Sequence, residues 1–387
     1  MYKYFLLLLN LSSTYSVAQT ITGKVLILAN KTIKLEGFRG LQTYPISTTT
    51  CDENGNFKLS YSITDFGVGC LKFASSKPIF LILSGEAIEI AEEYSDDGEI
   101  KITQGKENQL FATYAKEQPR REQTLSAWAY LEKIYQSDSL FSIHKIPSQA
   151  IFAEKKRLKN EEELFIKSLP SDSYVKWFLP IRKIVSNVSV VAQYRTEEIP
   201  STIVAFRAID YTDERLYKSG LYKDAIESHF WLLENSGKPL DTVFIEMKTS
   251  IDAMMGHLIK DEKKLNEVTD YLFDLLERQS LFEASEYLAL KALNETSCTL
   301  NSDLAKQLET YRAMKKGNNA PEILFPSNIL APNYANKKLP EKLSDLKTKY
   351  TVVVFGASWC PKCKEELPAI AKQYQKWNVN DVEVVFV

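Results

Sequence analysis

FGASWCPKCKEELP, residues 355–368, places two cysteines, Cys360 and Cys363, two residues apart. An apolar run with Val352-Val353-Val354 at its centre precedes it and reads as a buried strand. A helical pattern follows, with Leu367, Ile370, Tyr374 and Trp377 on one apolar face. Residues 381–387 return to strand character. Strand, helix, strand is the order of a parallel unit with a crossover. Leu343-Ser344-Asp345-Leu346, just upstream, reads as a one-turn helix.

This placement gives the cysteines a chemistry. The strand delivers the chain to the top of a sheet and the helix starts at Cys360, where first-turn N–H groups and the helix dipole favour negative charge. A thiolate there is stabilised. Cys363, one turn on and on the same face, is within reach of a disulfide with Cys360 and is expected to be the more shielded of the two. Cys360 then attacks a disulfide, and Cys363 resolves the mixed disulfide. Pro361 fits the first helical turn, where its missing N–H costs little. The charge of Lys362 is expected to favour the thiolate further. Glu366 shares a helical face with Cys363; it is either a proton relay beneath the pair or a solvated glutamate in a charged turn. Trp359 either shapes the substrate surface or packs in the core.

Other uses of the pair are open at this point. A C-x-x-C is half of a zinc site, but no cysteine or histidine follows Cys363 and the nearest preceding cysteine is Cys298. No metal is therefore expected. A structural disulfide remains possible, although the strand-to-helix junction after Trp359 favours redox work. A peroxidase would want an isolated cysteine with threonine and arginine around it, which this segment lacks.

Residues from about 321 onward resemble the thioredoxin fold, and within it the exported TlpA/ResA-like thiol-disulfide oxidoreductases. The likeness lies in Leu343-Ser344-Asp345-Leu346, the valine-rich strand, Ala357-Ser358-Trp359-Cys360-Pro361-Lys362-Cys363, and on through Glu366 and Pro368. It implies that Cys360 attacks, that Cys363 resolves and that an acidic Glu366 serves the pair. It favours reduction of protein disulfides over their oxidation. Gly356 stands where the family usually has a bulky aromatic, so an open wall is expected beside the cysteines. Only 27 residues follow Cys360, whereas that fold continues with a helix, an antiparallel strand pair and a last helix, and carries a cis-proline loop opposite the cysteines. The thioredoxin-like domain is thus expected to be C-terminally truncated, from a shortened gene product or an incomplete stretch of a longer protein.

Upstream the period changes twice. Residues 19–104 read as a small all-β sandwich or open barrel: Ile33–Glu36 and Phe57–Tyr61 alternate, Asp52–Asn56 is a turn, Ile79–Leu83 is continuously apolar and Ala87–Ile90 alternates again. This part, with its GNFKLSY turn and strand, resembles the β domain ahead of thioredoxin modules in exported Bacteroidetes proteins. Cys51 and Cys70 are a possible disulfide there, or two unpaired core residues. Residues 105–317 read as an all-α domain of about eight helices. Leu240, Val243, Phe244, Met247, Ile251, Met254 and Leu258 form one stripe; Trp128, Leu131, Ile134 and Tyr135 form part of another. Pro147, Pro180, Pro200 and Pro239 are expected helix boundaries. His144, His229 and His257 are dispersed, and packing is their default role. The block RAIDYTDERLYKSGLYKDAIESHFW (207–231) forms either a binding surface or a set of caps and core contacts. Residues 318–387 hold the partial α/β thioredoxin-like segment, behind a polar linker.

Residues 1–18 read as a cleaved signal peptide: Lys3, the Phe5–Leu9 apolar core, then Ser16-Val17-Ala18. This predicts a periplasmic or cell-envelope location with no transmembrane segment after cleavage. Export also permits disulfides. With 48 basic against 50 acidic side chains, no field of one sign points to nucleic acid or an anionic membrane as partner. No nicotinamide or flavin motif is visible, so no cofactor is expected. The partners expected are disulfide-containing proteins and a separate thiol protein that donates electrons. The alternative is a non-catalytic binding or structural envelope protein with a residual thioredoxin segment.

Overall fold

The computed structural model describes residues 19–73, 78–92, 100–296, 300, 302–313, 316–326, 329, 334, 338–357, 359–377 and 381–387. The signal peptide (1–18), Cys298 and Ser358 lie outside the described residues.

The β region consists of β1 (Gln19–Lys24), β2 (Thr32–Arg39), β3 (Gln42–Thr50), β4 (Asn56–Tyr61), β5 (Gly67–Phe73), β6 (Ile79–Leu83), β7 (Ile88–Glu92) and β8 (Ile100–Gln104). They form two four-stranded sheets, β4-β1-β7-β8 and β3-β2-β5-β6. Alternation turns Phe57, Leu59 and Tyr61 of β4 inward. They join Ile21, Ile33, Leu35, Leu71, Leu81 and Ile90 in one core between the sheets, as in a sandwich. The turn before β4 is fixed by Asp52, whose Oδ1 accepts from the N–H groups of Asn54 and Asn56 at 2.9 and 2.8 Å. Gly55 there has φ +76°, and a Cβ would approach the Val25 carbonyl oxygen to 2.2 Å, so only glycine fits. Cys51 and Cys70 are both buried free thiols.

Helices follow: α1 (Lys106–Ser137), α2 (Lys145–Ser168), α3 (Tyr174–Ser186), α4 (Val188–Tyr194), α5 (Ile199–Arg207), α6 (Glu214–Tyr217), α7 (Tyr222–Glu234), α8 (Leu240–Leu258), α9 (Glu262–Arg278), α10 (Phe282–Thr296) and α11 (Ser302–Ala313). These are eleven among the described residues rather than about eight, because short α4 and α6 carry too few turns to show a period. Pro180 is not a boundary: it lies inside α3. It is exposed, while its neighbours Phe178 and Leu179 are 2% and 0% exposed, so packing of the opposite face outweighs the lost hydrogen bond. Pro239, by contrast, is the N-cap of α8.

Sheet and helices share a second core. Val68 and Ile82, on the sheet face turned away from the sandwich interior, pack with Phe111, Tyr114, Val175, Phe178 and Leu179. Buried Asn108 of α1 extends the edge of β6, accepting from Ile82 N–H at 2.7 Å and donating to Ile82 C=O at 2.8 Å. Gly40 N–H and Val68 N–H donate to the carbonyls of Tyr217 and Lys218. The β and helical segments therefore belong to one compact unit that runs to Ala305, and a second unit spans Lys306–Val387.

The tyrosine-rich block lies mostly inside the first unit. Tyr211, Tyr217 and Tyr222 are at most 5% exposed, with edge-on ring pairs at 5.7 and 5.2 Å. Asp213 caps α6. His229 is buried against Phe206, with ring centroids 5.1 Å apart. No helix among the described residues is long and apolar enough to cross a membrane.

Candidate active site

The second unit is built around β9 (Tyr350–Val354), α12 (Pro361–Tyr374) and β10 (Val382–Phe386). The strands pair in parallel, Val352 opposite Val384 and Val353 opposite Val385, so the crossover runs through α12 as the pattern predicts. Upstream, Leu343–Asp345 forms the expected single turn, here of 3-10 type. Asp345 Oδ2 accepts from Glu341 N–H at 2.9 Å, and Ser344 N–H donates to Glu322 at 2.8 Å. An isolated bridge joins Leu324 to Lys342.

Cys360 is the N-cap of α12. Its backbone is extended (φ −83°, ψ 112°) and Pro361 takes the first helical position. Cys360 Sγ fills the role that a serine or aspartate oxygen takes at other caps, accepting the Cys363 N–H at 3.2 Å. The Cys363 thiol donates to the same sulfur, with the two Sγ atoms 2.6 Å apart. These donors stabilise negative charge on Cys360 and hold its thiol below the ordinary range. The Cys363 thiol contributes most, then the Cys363 N–H, with the Lys362 N–H a lesser contributor. Both cysteines are free and half-buried. The sequence brings the pair together as expected, and both sulfurs lie in the same half-buried range.

The side chains around the pair take less expected places. Lys362 Nζ lies 3.1 Å from Glu365 and 3.6 Å from Glu366, so two carboxylates offset its charge. Lys362 reaches the sulfur through its backbone N–H rather than its ammonium. Glu366 is exposed, its side chain 57% accessible, and occupies the solvated position rather than one beneath the pair. Its place on the helix, three residues past Cys363, left the two positions equivalent by period alone. Trp359 is 83% exposed beside Cys360, which excludes the core placement. Trp377 lies beyond the end of α12, its ring 6.4 Å from that of Tyr374.

A concavity of about 510 Å³ opens beside Cys363, lined by Gly356, Ala357, Cys363, Lys364, Leu367, Phe386 and Val387. A Cβ at Gly356 would meet nothing within 4 Å, in keeping with the open wall expected from this glycine. Sequence reasoning reads Phe386 and Val387 as the end of an apolar strand and not as part of the site. The signal available was their place at the end of a strand parallel to the one that precedes the cysteines.

Residues 317–387 match the AhpC/TSA family. The segment is a thioredoxin-like domain. The chain is also similar to the thiol-disulfide oxidoreductase ResA of Bacillus subtilis (strain 168), at 40% identity over 60 residues. That match covers 15% of this chain and 34% of the relative, so the chain spans about a third of the length of the curated relative it matches. No solved structure matches the chain significantly. The C-terminal domain is thus related to ResA-type oxidoreductases, and it carries a closely spaced cysteine pair consistent with a redox-active site.

Proposed function

We propose that the protein is an exported thiol-disulfide oxidoreductase that reduces protein disulfides through Cys360 and Cys363. The observation that carries this reading is the convergence of the Cys363 thiol and N–H on one sulfur at the start of α12. The Cys360 thiolate attacks one sulfur of a substrate disulfide; that S–S bond breaks, a mixed disulfide forms and one substrate thiolate leaves. Cys363 loses its proton and attacks Cys360 Sγ, releasing the second substrate thiol. Two electrons pass to the substrate and the pair is left as a disulfide.

In this reading Pro361 sets the first turn and exposed Trp359 supplies apolar contact to the substrate. Glu366 offsets Lys362 together with Glu365. The oxidised pair is recharged by a separate thiol protein. Residues 1–18 direct export to the periplasm or cell envelope.

The test is insulin reduction by the purified chain, with alkyl trapping and mass spectrometry of the two cysteines. Activity that disappears in Cys360→Ser, with a redox-dependent mass change confined to Cys360 and Cys363, is the expected result. Absence of both would leave a binding or structural protein with an inactive redox segment.

A further inference from the structure

A cleft of about 510 Å³ opens in the first unit where the sandwich meets the starts of α1, α3 and α6. Phe66, Leu83, Pro170 and Tyr174 give it apolar surface. Its walls are held in place. Val68 N–H donates to the Lys218 carbonyl at 2.9 Å, Ser173 Oγ to Glu107 Oε2 at 2.9 Å, and Tyr174 OH to the Arg215 carbonyl at 3.3 Å. The Tyr174 ring packs on those of Trp177 and Phe178 at 5.4 and 5.8 Å. The volume lies within the roughly 300–1,000 Å³ of small-molecule sites.

Both signs of charge line this cleft, and most of the charged groups are engaged within the protein. Glu214 pairs with Lys264, and Arg215 with Asp213. Lys218 Nζ donates to the Thr64 carbonyl at 3.0 Å. Glu86 accepts the Glu107 N–H at 3.2 Å, and Glu107 accepts the Val175 N–H at 2.9 Å. Two exposed lining groups, the Lys106 ammonium and the Asp172 carboxylate, have no ion pair or hydrogen bond among the described residues. Each is the chain neighbour of one member of the Ser173–Glu107 hydrogen bond, so the segments that carry them are tied together. They do not pair with one another.

We propose that this cleft binds a short peptide with free termini, its carboxylate on Lys106, its ammonium on Asp172 and an apolar side chain against Phe66 and Tyr174. A ligand of one sign would leave one of the two groups without a partner in the same cleft. A single amino acid carries both charges on one carbon, too close together to serve two groups that do not reach each other. The ends of a peptide are separated by up to about 3.3–3.6 Å per residue. The hydroxyl of Ser84, another lining residue, is buried without a hydrogen-bond partner, and a peptide backbone supplies the kind of group it lacks. A phosphorylated ligand is disfavoured, because the carboxylates of Glu86, Glu107 and Asp172 line the same cleft. The proposal is independent of the redox reading, since it uses only the first unit.

The experiment is isothermal titration calorimetry of the full chain with leucyl-leucine, its N-acetyl form, its C-terminal amide and free leucine. Circular dichroism checks the fold of each variant. The unblocked dipeptide is expected to bind, and leucine and each blocked form to bind about tenfold more weakly or worse, as loss of one charged contact implies. Lys106→Ala should bind the dipeptide and its amide alike, and Asp172→Ala the dipeptide and its N-acetyl form alike. No binding of the dipeptide at millimolar concentration would overturn the proposal. So would leucine or a blocked form binding as tightly as the dipeptide, or folded variants that still discriminate as wild type does.

Discussion

Helices α8 and α12 both carry an apolar stripe, yet only one of them is covered. On α8, Val243, Met247, Ile251, Met254 and Leu258 are at most 3% exposed. On α12, no residue is buried and Leu367 is 38% exposed. Periodicity says which side chains share a face and is silent about what lies against it. The first helix is held by burial, whereas the second owes its interest to its N-terminus, where hydrogen bonds from three residues on converge on the Cys360 sulfur. Stability and chemistry are thus written at different ranges of the sequence.

The contrast can be broken most forcefully at Arg195. This side chain is 2% exposed and pairs with Glu122 at 2.6 Å, itself 8% exposed. Replacing it by leucine strands a buried carboxylate and should cost about 3–5 kcal/mol, read as a fall in the urea midpoint. A loss below about 1 kcal/mol would mean that the first unit tolerates buried charge as a surface does. Next in size is Ile251→Ala, fully buried on α8, expected to cost about 2–5 kcal/mol. Leu367→Ala on α12 should shift the midpoint far less, and an equal shift would show that the two stripes are equally covered.

His229 sharpens the same contrast through pH. Neither ring nitrogen has a partner, and burial, with a smaller contribution from Arg207, pushes its pKa from 6.5 down to about 3. The unfolded chain therefore binds this proton while the folded one does not. Its contribution is fully present above pH 6.5 and is lost as pH falls toward 3, at up to about 1.4 kcal/mol per pH unit. His229→Phe should flatten stability against pH in that window by about one proton. An unchanged slope, measured by denaturant titration at several pH values, would place the acid sensitivity elsewhere.

Legibility followed the same division. The sandwich strands were readable because β2 and β4 alternate cleanly, and the Asp52–Asn56 turn because only glycine fits at residue 55. The strand, helix, strand order and the placing of Cys360 at a helix start were likewise local. On α1 the sequence stripe misled. Leu131 of that stripe is 37% exposed, while the buried face includes Glu122 beside Leu125 and Ala129. A buried carboxylate is legible only once its partner, Arg195, is known to arrive from 73 residues away. For Glu366, whose side chain is 57% accessible, a period of 3.6 could not tell the solvated side of a helix end from the covered one.

The smallest effect bears most directly on the chemistry. A lysine between two cysteines invites the view that its charge lowers the neighbouring thiol, but Lys362 Nζ is held by Glu365 and lies near Glu366. The groups that hold the Cys360 thiol down are the Cys363 thiol, the Cys363 N–H and the Lys362 N–H, and the side chain of residue 362 supplies none of them. The rate of Cys360 alkylation against pH reports this thiol, with a midpoint expected below the 9.0 of an ordinary cysteine. Cys363→Ala removes the largest contributor and should move that midpoint up. Lys362→Ala keeps every donor and should leave it nearly where it was. If the lysine variant shifts the midpoint more than the cysteine variant does, then the sulfur is governed by side-chain charge rather than by hydrogen bonds at the start of the helix.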